Sequence, residues 1–194
     1  MGNLRSVAKA LEKVQCSVDW VDRPSGLKKA DAVVLPGVGA FTVAVQNLKK
    51  RKLLEPLKEW IASDRPFLGI CLGYQLLFEG SQEGRVSKGL GVFKGRVQKL
   101  SPRWGLKVPH IGWNRIQIGT PSLFFSGIPD GSYFYFVHSY VPVPKDEAII
   151  ATRTSYGTDM ASSISLGRLF ASQFHPEKSG ASGLRLLRNF AATC

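Results

Sequence analysis

An α/β fold with a mostly parallel central sheet is predicted by three observations. Short apolar runs at residues 31–35 and 66–70 alternate with helical patterns, the order that builds parallel strands. The first run is stopped by Pro36-Gly37, and the second runs into Cys71 between two glycines, as strands feeding tight turns do. Beyond residue 90 strand-like segments follow one another with Gly, Pro, Ser and Asp clusters between them. That half is expected to be antiparallel or mixed.

The elements follow in chain order. Leu4, Val7, Ala8, Leu11 and Val14 recur at helical spacing, so residues 3–15 read as an amphipathic helix. Residues 17–21 are a short strand candidate. Residues 31–35 form an apolar strand, stopped by Pro36-Gly37. Residues 41–61 are helical in pattern, with a break expected near Pro56. Residues 66–70 are a third strand, running into Cys71, and residues 72–79 read as a helix. Further strands are expected at 92–93, 96–100, 116–118, 133–141, 148–152 and 169–174. Residues 183–191 close the chain as a helix. No repeat, linker or low-complexity segment interrupts it.

Composition bounds the function classes. A chain of 194 residues suggests one domain, and 44% hydrophobic with 21% charged residues excludes disorder. The net charge of +12 is scattered; the densest runs are Lys49-Lys50-Arg51-Lys52 and Lys28-Lys29. Neither is a basic tail, and aromatics do not interleave with them, so no nucleic-acid partner is expected. The three cysteines, Cys16, Cys71 and Cys194, have no zinc or disulfide spacing. A reducing compartment, the cytoplasm, and no metal are expected. The longest nearly apolar stretch, residues 67–78, is about half of a membrane-spanning helix, and no secretory signal opens the sequence. Gly2 and Ser6 fit the loose N-myristoylation pattern. A glycine turn entering a helix is the preferred reading.

Three segments carry candidate chemistry. In Gly69-Ile70-Cys71-Leu72-Gly73 a nucleophile stands between strand and helix, with one glycine two positions away on each side. This is the nucleophile-elbow pattern with cysteine for serine. Side chains at the flanking positions would clash in so tight a turn. The following helix N-terminus is expected to favour the thiolate and a developing oxyanion. A buried, inert core cysteine is the ordinary alternative. A cysteine nucleophile needs a base. His175 ends a predicted strand, and Glu177, two residues on, shares its face. That is the arrangement of an orienting carboxylate, although a surface His-Pro turn has the same residues. Pro36-Gly37-Val38-Gly39 follows another strand; its glycines let an amide turn toward an oxyanion, or simply make a turn. His110 and His138 sit beside or within aromatic segments and read as packed structural histidines. No acidic cluster has metal-ligand spacing.

Together these segments resemble the class I, or triad, glutamine amidotransferases, whose fold is flavodoxin-like. The tags Gly2-Asn3-Leu4, Pro109-His110-Ile111-Gly112-Trp113-Asn114, Tyr135-Phe136-Val137-His138-Ser139-Tyr140 and Phe174-His175-Pro176-Glu177-Lys178-Ser179 narrow the resemblance. They are similar to the glutaminase subunits of imidazole glycerol phosphate synthase, of histidine biosynthesis. The resemblance spans essentially the whole chain. It implies Cys71 as nucleophile, His175 as general base and acid, and Glu177 as its orienter. It implies an oxyanion hole from the Leu72 amide with one from Val38 or Gly39. Gly37, Gln75 and the His138-Ser139-Tyr140 strand would hold L-glutamine. Asn3, Trp113, Tyr135 and Lys178 would face a TIM-barrel cyclase subunit, in a heterodimer that receives the ammonia. No cofactor is implied. Another triad amidotransferase, a hydrolase of the same fold, or an inactive binding subunit are the competing functions.

Two departures from the pattern stand out. Family members begin with a hydrophobic strand before Gly-Asn-Leu, and Met1 stands where that strand would have ended. One amidotransferase domain over residues 1–194, lacking its first strand and poorly soluble, is therefore expected. Tyr74 stands where methionine is usual, a change expected to be tolerated.

Overall fold

The computed structural model describes residues 4–84, 87–101 and 105–194. Its elements in chain order are α1 (Leu4–Lys13), α2 (Pro24–Leu27), β1 (Val33–Gly37), α3 (Phe41–Lys50), α4 (Leu54–Ala62), β2 (Phe67–Cys71) and α5 (Leu72–Gln75). Then come β3 (Phe78–Ser81), β4 (Ser87–Lys88), β5 (Phe93–Lys99), β6 (His110–Arg115), β7 (Gln117–Ile118), β8 (Tyr133–His138) and β9 (Tyr140–Pro144). The last are β10 (Ile150–Ser155), β11 (Asp159–Leu166), β12 (Leu169–Ser172) and α6 (Gly180–Ala191). Asn3 and Gly2 lie outside the described residues.

Among the described residues, the largest sheet has the order β1-β2-β12-β11-β10-β7. β1, β2 and β12 are mutually parallel, and β11, β10 and β7 continue the sheet antiparallel. The sheet is thus mixed, with its parallel half built by the crossovers that the alternating pattern foretold. A second sheet has the order β4-β3-β5-β9, and β6 pairs with β8 in a third.

Strand alternation divides the core between the two faces of the large sheet. Leu68, Ile70 and Phe170 face one side, against Val7, Ala10, Leu11 and Val14 of the first helix region and Leu186, Leu187 and Phe190 of α6. Phe67, Leu169 and Ala171 face the other side, against Phe41, Leu57, Trp60 and Leu72. β2 is buried at every position, as a strand covered on both faces must be.

Several local expectations change. Residues 17–21 form no ladder; extended chain becomes a strand only where a neighbour supplies backbone partners. Pro36 does not stop its strand but lies within β1, paired in register with Ile70. β1 ends the sheet order, where a missing N–H is tolerated. The break in the 41–61 helix falls at Arg51–Leu53, with Lys52 at φ +58, not at Pro56. Pro56 sits in the first turn of α4, where amides have no helical partner to lose. The expected 133–141 strand is two strands in two sheets, changing direction at Ser139.

Candidate active site

The carboxyl ends of three neighbouring parallel strands bring the site together. Gly37 ends β1, Cys71 ends β2, and His175 follows β12. In an open α/β sheet this edge is where side chains converge from separate strands. Gly37 and Cys71 are ladder partners, so the Val38–Gly39 turn leaves the sheet beside the sulfur.

Cys71 has φ +54, a conformation costly for any residue but glycine. The surrounding glycines explain how it is held. A Cβ on Gly73 would run into the Leu35 carbonyl oxygen, and one on Gly69 would lie 3.0 Å from the Ala171 Cβ. A Cβ on Gly37 would lie 2.9 Å from that of Leu72. At all three glycines a Cβ would crowd the neighbouring chain, so the turn needs positions without side chains. The following helix, α5, is a single turn, too short to carry the dipole the sequence suggested. Favourable charge for a thiolate comes instead from the neighbouring imidazole.

His175 is fully buried, at 0% exposure, and enters a 3-10 turn over Pro176–Lys178. Its Nδ1 meets Glu177 Oε1 at 2.8 Å, so Nδ1–H donates and Nε2 is left for the sulfur. Cys71 is near enough to His175 to act on its charge. Burial opposes a charged imidazole. Nearby Cys71 and the hydrogen bond to Glu177, with the attraction of their negative charges, outweigh burial and push His175 up to about 9. An imidazolium beside a sulfur is the charge state that a thiolate nucleophile needs.

The backbone of His175 is tied to β8. Its N–H donates to the Tyr135 carbonyl at 2.9 Å, while Tyr135 N–H donates to Ser179 Oγ at 3.0 Å. Ser179 Oγ donates in turn to the His175 carbonyl at 2.6 Å.

The other expected residues fall around this centre. Leu72 is buried beside Cys71. Gly39 has φ +102 with open space about its Cα, and the Val38 side chain is exposed. Gln75 is buried, its amide nitrogen 2.9 Å from the Tyr140 carbonyl and 3.1 Å from Gln173 Oε1. Ser139 and Tyr140 are half-buried at the start of β9. His138 is buried, its imidazole nitrogens facing the Tyr140 carbonyl and His110. Trp113, Tyr135 and Lys178 form one cluster, Trp113 and Lys178 exposed and Tyr135 half-buried. The two aromatic rings meet edge to face at 6.1 Å, and Lys178 Nζ lies 5.5 Å over the Tyr135 ring. Ile111 and Tyr133 extend this face of β6 and β8 as exposed apolar side chains.

Two neighbours of the site were not read from the sequence. Gln173 Nε2 lies 3.5 Å from Cys71 Sγ. The signal was available: Gln173 stands two residues before His175, on the same face of extended chain. Glu83 accepts the Phe41 N–H at 2.8 Å, holding the helix that follows the Gly37–Gly39 turn. No local pattern announces so distant a cap. Among the described residues no group of His, Cys, Asp or Glu could hold a metal ion, and no helix is long and apolar enough to cross a membrane.

A cysteine elbow and a buried His–Glu pair on one parallel sheet edge match the arrangement of enzymes that attack acyl carbons through sulfur. Residues 1–194 match the family described as "Glutamine amidotransferase class-I", and the chain belongs to that family. Its relatives include proteins named "Imidazole glycerol phosphate synthase subunit HisH". That of Aquifex aeolicus (strain VF5) is 49% identical over 191 residues, 98% of this chain and 91% of the relative. That of Synechococcus sp. (strain JA-3-3Ab) is 48% identical over 191 residues, 97% of this chain and 88% of the relative. That of Moorella thermoacetica is 47% identical over 190 residues, 98% and 90% respectively. Solved structures share the fold at lower identity. A "Crystal structure of glutamine amidotransferase" has a TM-score of 0.76 at 19% identity, covering 99% of this chain and 94% of that one. PurLQS from Thermotoga maritima has a TM-score of 0.75 at 17% identity, covering 98% and 92%.

Proposed function

We propose that this chain is the glutamine-hydrolysing subunit of an imidazole glycerol phosphate synthase of histidine biosynthesis. Residues 1–194 act as one amidotransferase domain. The observation that carries the reading is the buried His175–Glu177 pair beside the Cys71 elbow. The names of relatives near half identity support the pathway.

In this reading the Cys71 thiolate attacks the side-chain amide carbon of L-glutamine. Negative charge develops on the amide oxygen, where the Leu72 amide and one from Val38 or Gly39 receive it. The His175 imidazolium gives its proton to the departing nitrogen, releasing ammonia and leaving a thioester. Neutral His175 then takes a proton from water, whose oxygen attacks the thioester carbon. The carbon–sulfur bond then breaks, restoring the thiolate–imidazolium pair, and the new carboxyl group loses its proton to solvent as glutamate leaves. Glu177 keeps the imidazole turned toward the sulfur throughout. Gly37, Gln75 and the His138–Tyr140 segment hold the amino-acid end of the substrate. These steps use no cofactor and no metal.

Ammonia is protonated and lost in water, so a partner must receive it directly. The partner is a TIM-barrel cyclase that makes imidazole glycerol phosphate and an aminoimidazole carboxamide ribotide in the cytoplasm. The cluster of Trp113, Tyr135 and Lys178, with exposed Ile111 and Tyr133 beside it, suits such a protein partner, since contiguous exposed apolar side chains mark docking surfaces. Asn3 belongs to the same proposed interface. The Gly37–Gly39 turn serves as a switch, completing the oxyanion hole once the cyclase and its ligand are bound. Glutamine turnover is measured for the chain alone, with the cyclase, and with the cyclase and its ligand. Activation by the liganded cyclase is expected; equal rates in all three would overturn the coupling.

A further inference from the structure

Two buried histidines move no proton in the steps above, although His138 borders the proposed glutamine site, and both are joined to the sulfur by an unbroken series of polar contacts. His110 lies between the Phe136 and Tyr156 rings, with centroids 4.8 and 3.9 Å away. Its Nδ1 is 3.0 Å from Nε2 of His138, and His138 Nδ1 is 3.0 Å from the Tyr140 carbonyl oxygen.

The direction of these bonds follows from one group. A carbonyl only accepts, so His138 carries its proton on Nδ1 and presents Nε2 as an acceptor. The donor to that acceptor is His110 Nδ1–H, which leaves His110 Nε2 as an acceptor in turn. Asn114 Nδ2 stands 3.4 Å from it. The Asn114 amide is oriented independently: Oδ1 accepts the Arg115 N–H at 2.8 Å, and Nδ2 donates to the Ser155 carbonyl at 3.0 Å. Burial pushes His110 down to about 4 and His138 to about 3, which keeps both rings neutral and the chain directed.

The Tyr140 carbonyl connects this chain to the site. Leu100 N–H donates to the Ser139 carbonyl at 2.8 Å, while Tyr140 pairs with Lys99. In an antiparallel ladder that pattern marks a pair whose own carbonyls point away from the partner strand. The Tyr140 carbonyl is therefore turned to His138 and to Gln75 Nε2, which lies 2.9 Å away. Gln75 meets Gln173, and Gln173 meets the Cys71 sulfur.

We propose that His110 and His138 are positioning residues for amide hydrolysis: their directed hydrogen bonds fix the Tyr140 carbonyl, and through Gln75 and Gln173 the setting of the Cys71 sulfur. The inference rests on Cys71 being the nucleophile. It assigns to Asn114, next to the exposed Trp113, the outer end of a path from the docking face to the sulfur.

The ring tautomers are read first, by nitrogen NMR of the resting wild-type protein labelled at histidine. Resonances are assigned by the loss of one in each single His110 or His138 variant. Both rings are expected neutral with the proton on Nδ1; a proton on Nε2 of either ring, or a charged ring near neutral pH, overturns the proposal. Activity with the cyclase is then compared for His110→Asn and His110→Leu. The two side chains have nearly the same shape, but the Asn amide nitrogen stands where Nδ1 donates. His110→Leu is expected to lose about tenfold in kcat with KM for glutamine changed less than about threefold, while His110→Asn stays within about threefold of wild type. Equal losses in the two variants would reduce the pair to packing. Should neither variant fold, the wild-type tautomers still decide. An inactive wild-type protein with Nδ1–H rings would count against glutamine hydrolysis and not against the directed chain.

Discussion

Replacing Glu177 by glutamine tests the electrostatics of the site at a single atom pair. The substitution keeps the shape of the side chain and removes its charge. The wild-type bond to His175 is 2.8 Å long, and both side chains are fully buried at 0% exposure. A hydrogen bond between ionised groups is worth about 1.5–3 kcal/mol, against roughly 1 for a neutral pair. The difference of about 0.5–2 kcal/mol corresponds to about two- to thirtyfold in rate if it is felt at the transition state. A second loss adds to it. Burial of His175 is the largest influence on its charge and acts downward; only Cys71 and Glu177 offset it. Without the carboxylate the imidazolium is less stable and the thiolate loses its counter-charge. The glutamine amide also accepts or donates, so the tautomer is no longer enforced. Together these predict a kcat about 10²-fold or more below wild type, with KM for glutamine within about threefold. The assay is ammonia release at saturating glutamine with the cyclase bound, alongside thermal unfolding to show an intact fold. A folded variant with kcat within about threefold of wild type would refute the reasoning.

Gly73→Ala is predicted to cost about 3 kcal/mol or more, because its Cβ meets the Leu35 backbone rather than a movable side chain. Urea unfolding checks it, and a change under about 1 kcal/mol contradicts it. Tyr74 is fully buried and its hydroxyl donates to the Ala161 carbonyl at 3.2 Å. Tyr74→Phe should therefore cost about 1 kcal/mol while leaving glutamine turnover within about twofold. Acid should destabilise the fold through His110 and His138. Their folded values lie below the ordinary 6.5, so the unfolded chain binds protons that the native state refuses. Each contributes a loss of about 1.4 kcal/mol per pH unit as pH falls from 6.5 toward 4. His175 acts oppositely: its stabilisation is complete below 6.5 and is lost as pH rises through about 9. Denaturant midpoints at pH 7 and pH 5 should fall on the acid side, and a rise there would contradict the assignment.

The site was legible in the sequence where its geometry is local. Glycines at 69 and 73 around Cys71 encode a turn that no other residue fits, and the His175–Glu177 spacing encodes a shared face. Elements set by distant partners were less legible. Residues 72–79 have a helical pattern, yet the helix ends after one turn. The carbonyls of Leu76, Leu77 and Phe78 are claimed by the amides of Leu90, Phe93 and Gly91, and Phe78 enters a ladder with β5. β11 was missed because Ser162, Ser163 and Ser165 look like loop residues. Ser162 and Ser163 are buried against Thr152, whose hydroxyl lies 2.8 and 2.6 Å from theirs. Polar strand residues that satisfy one another leave no alternation to read. β8 is legible within the 133–141 run, whereas its partner β6 is not, for a similar reason. Their aromatic outer face is apolar and exposed, the reverse of the usual pattern.

Covalent capture of the nucleophile tests the whole account most directly. A glutamine analogue carrying an electrophilic carbon in place of the side-chain amide is incubated with the chain and its cyclase, then followed by intact-mass and peptide mass spectrometry. One adduct per chain on Cys71 is predicted, suppressed by excess glutamine and absent from Cys71→Ala. Modification of Cys16 or Cys194 with Cys71 left untouched, or labelling that glutamine does not slow, would contradict it.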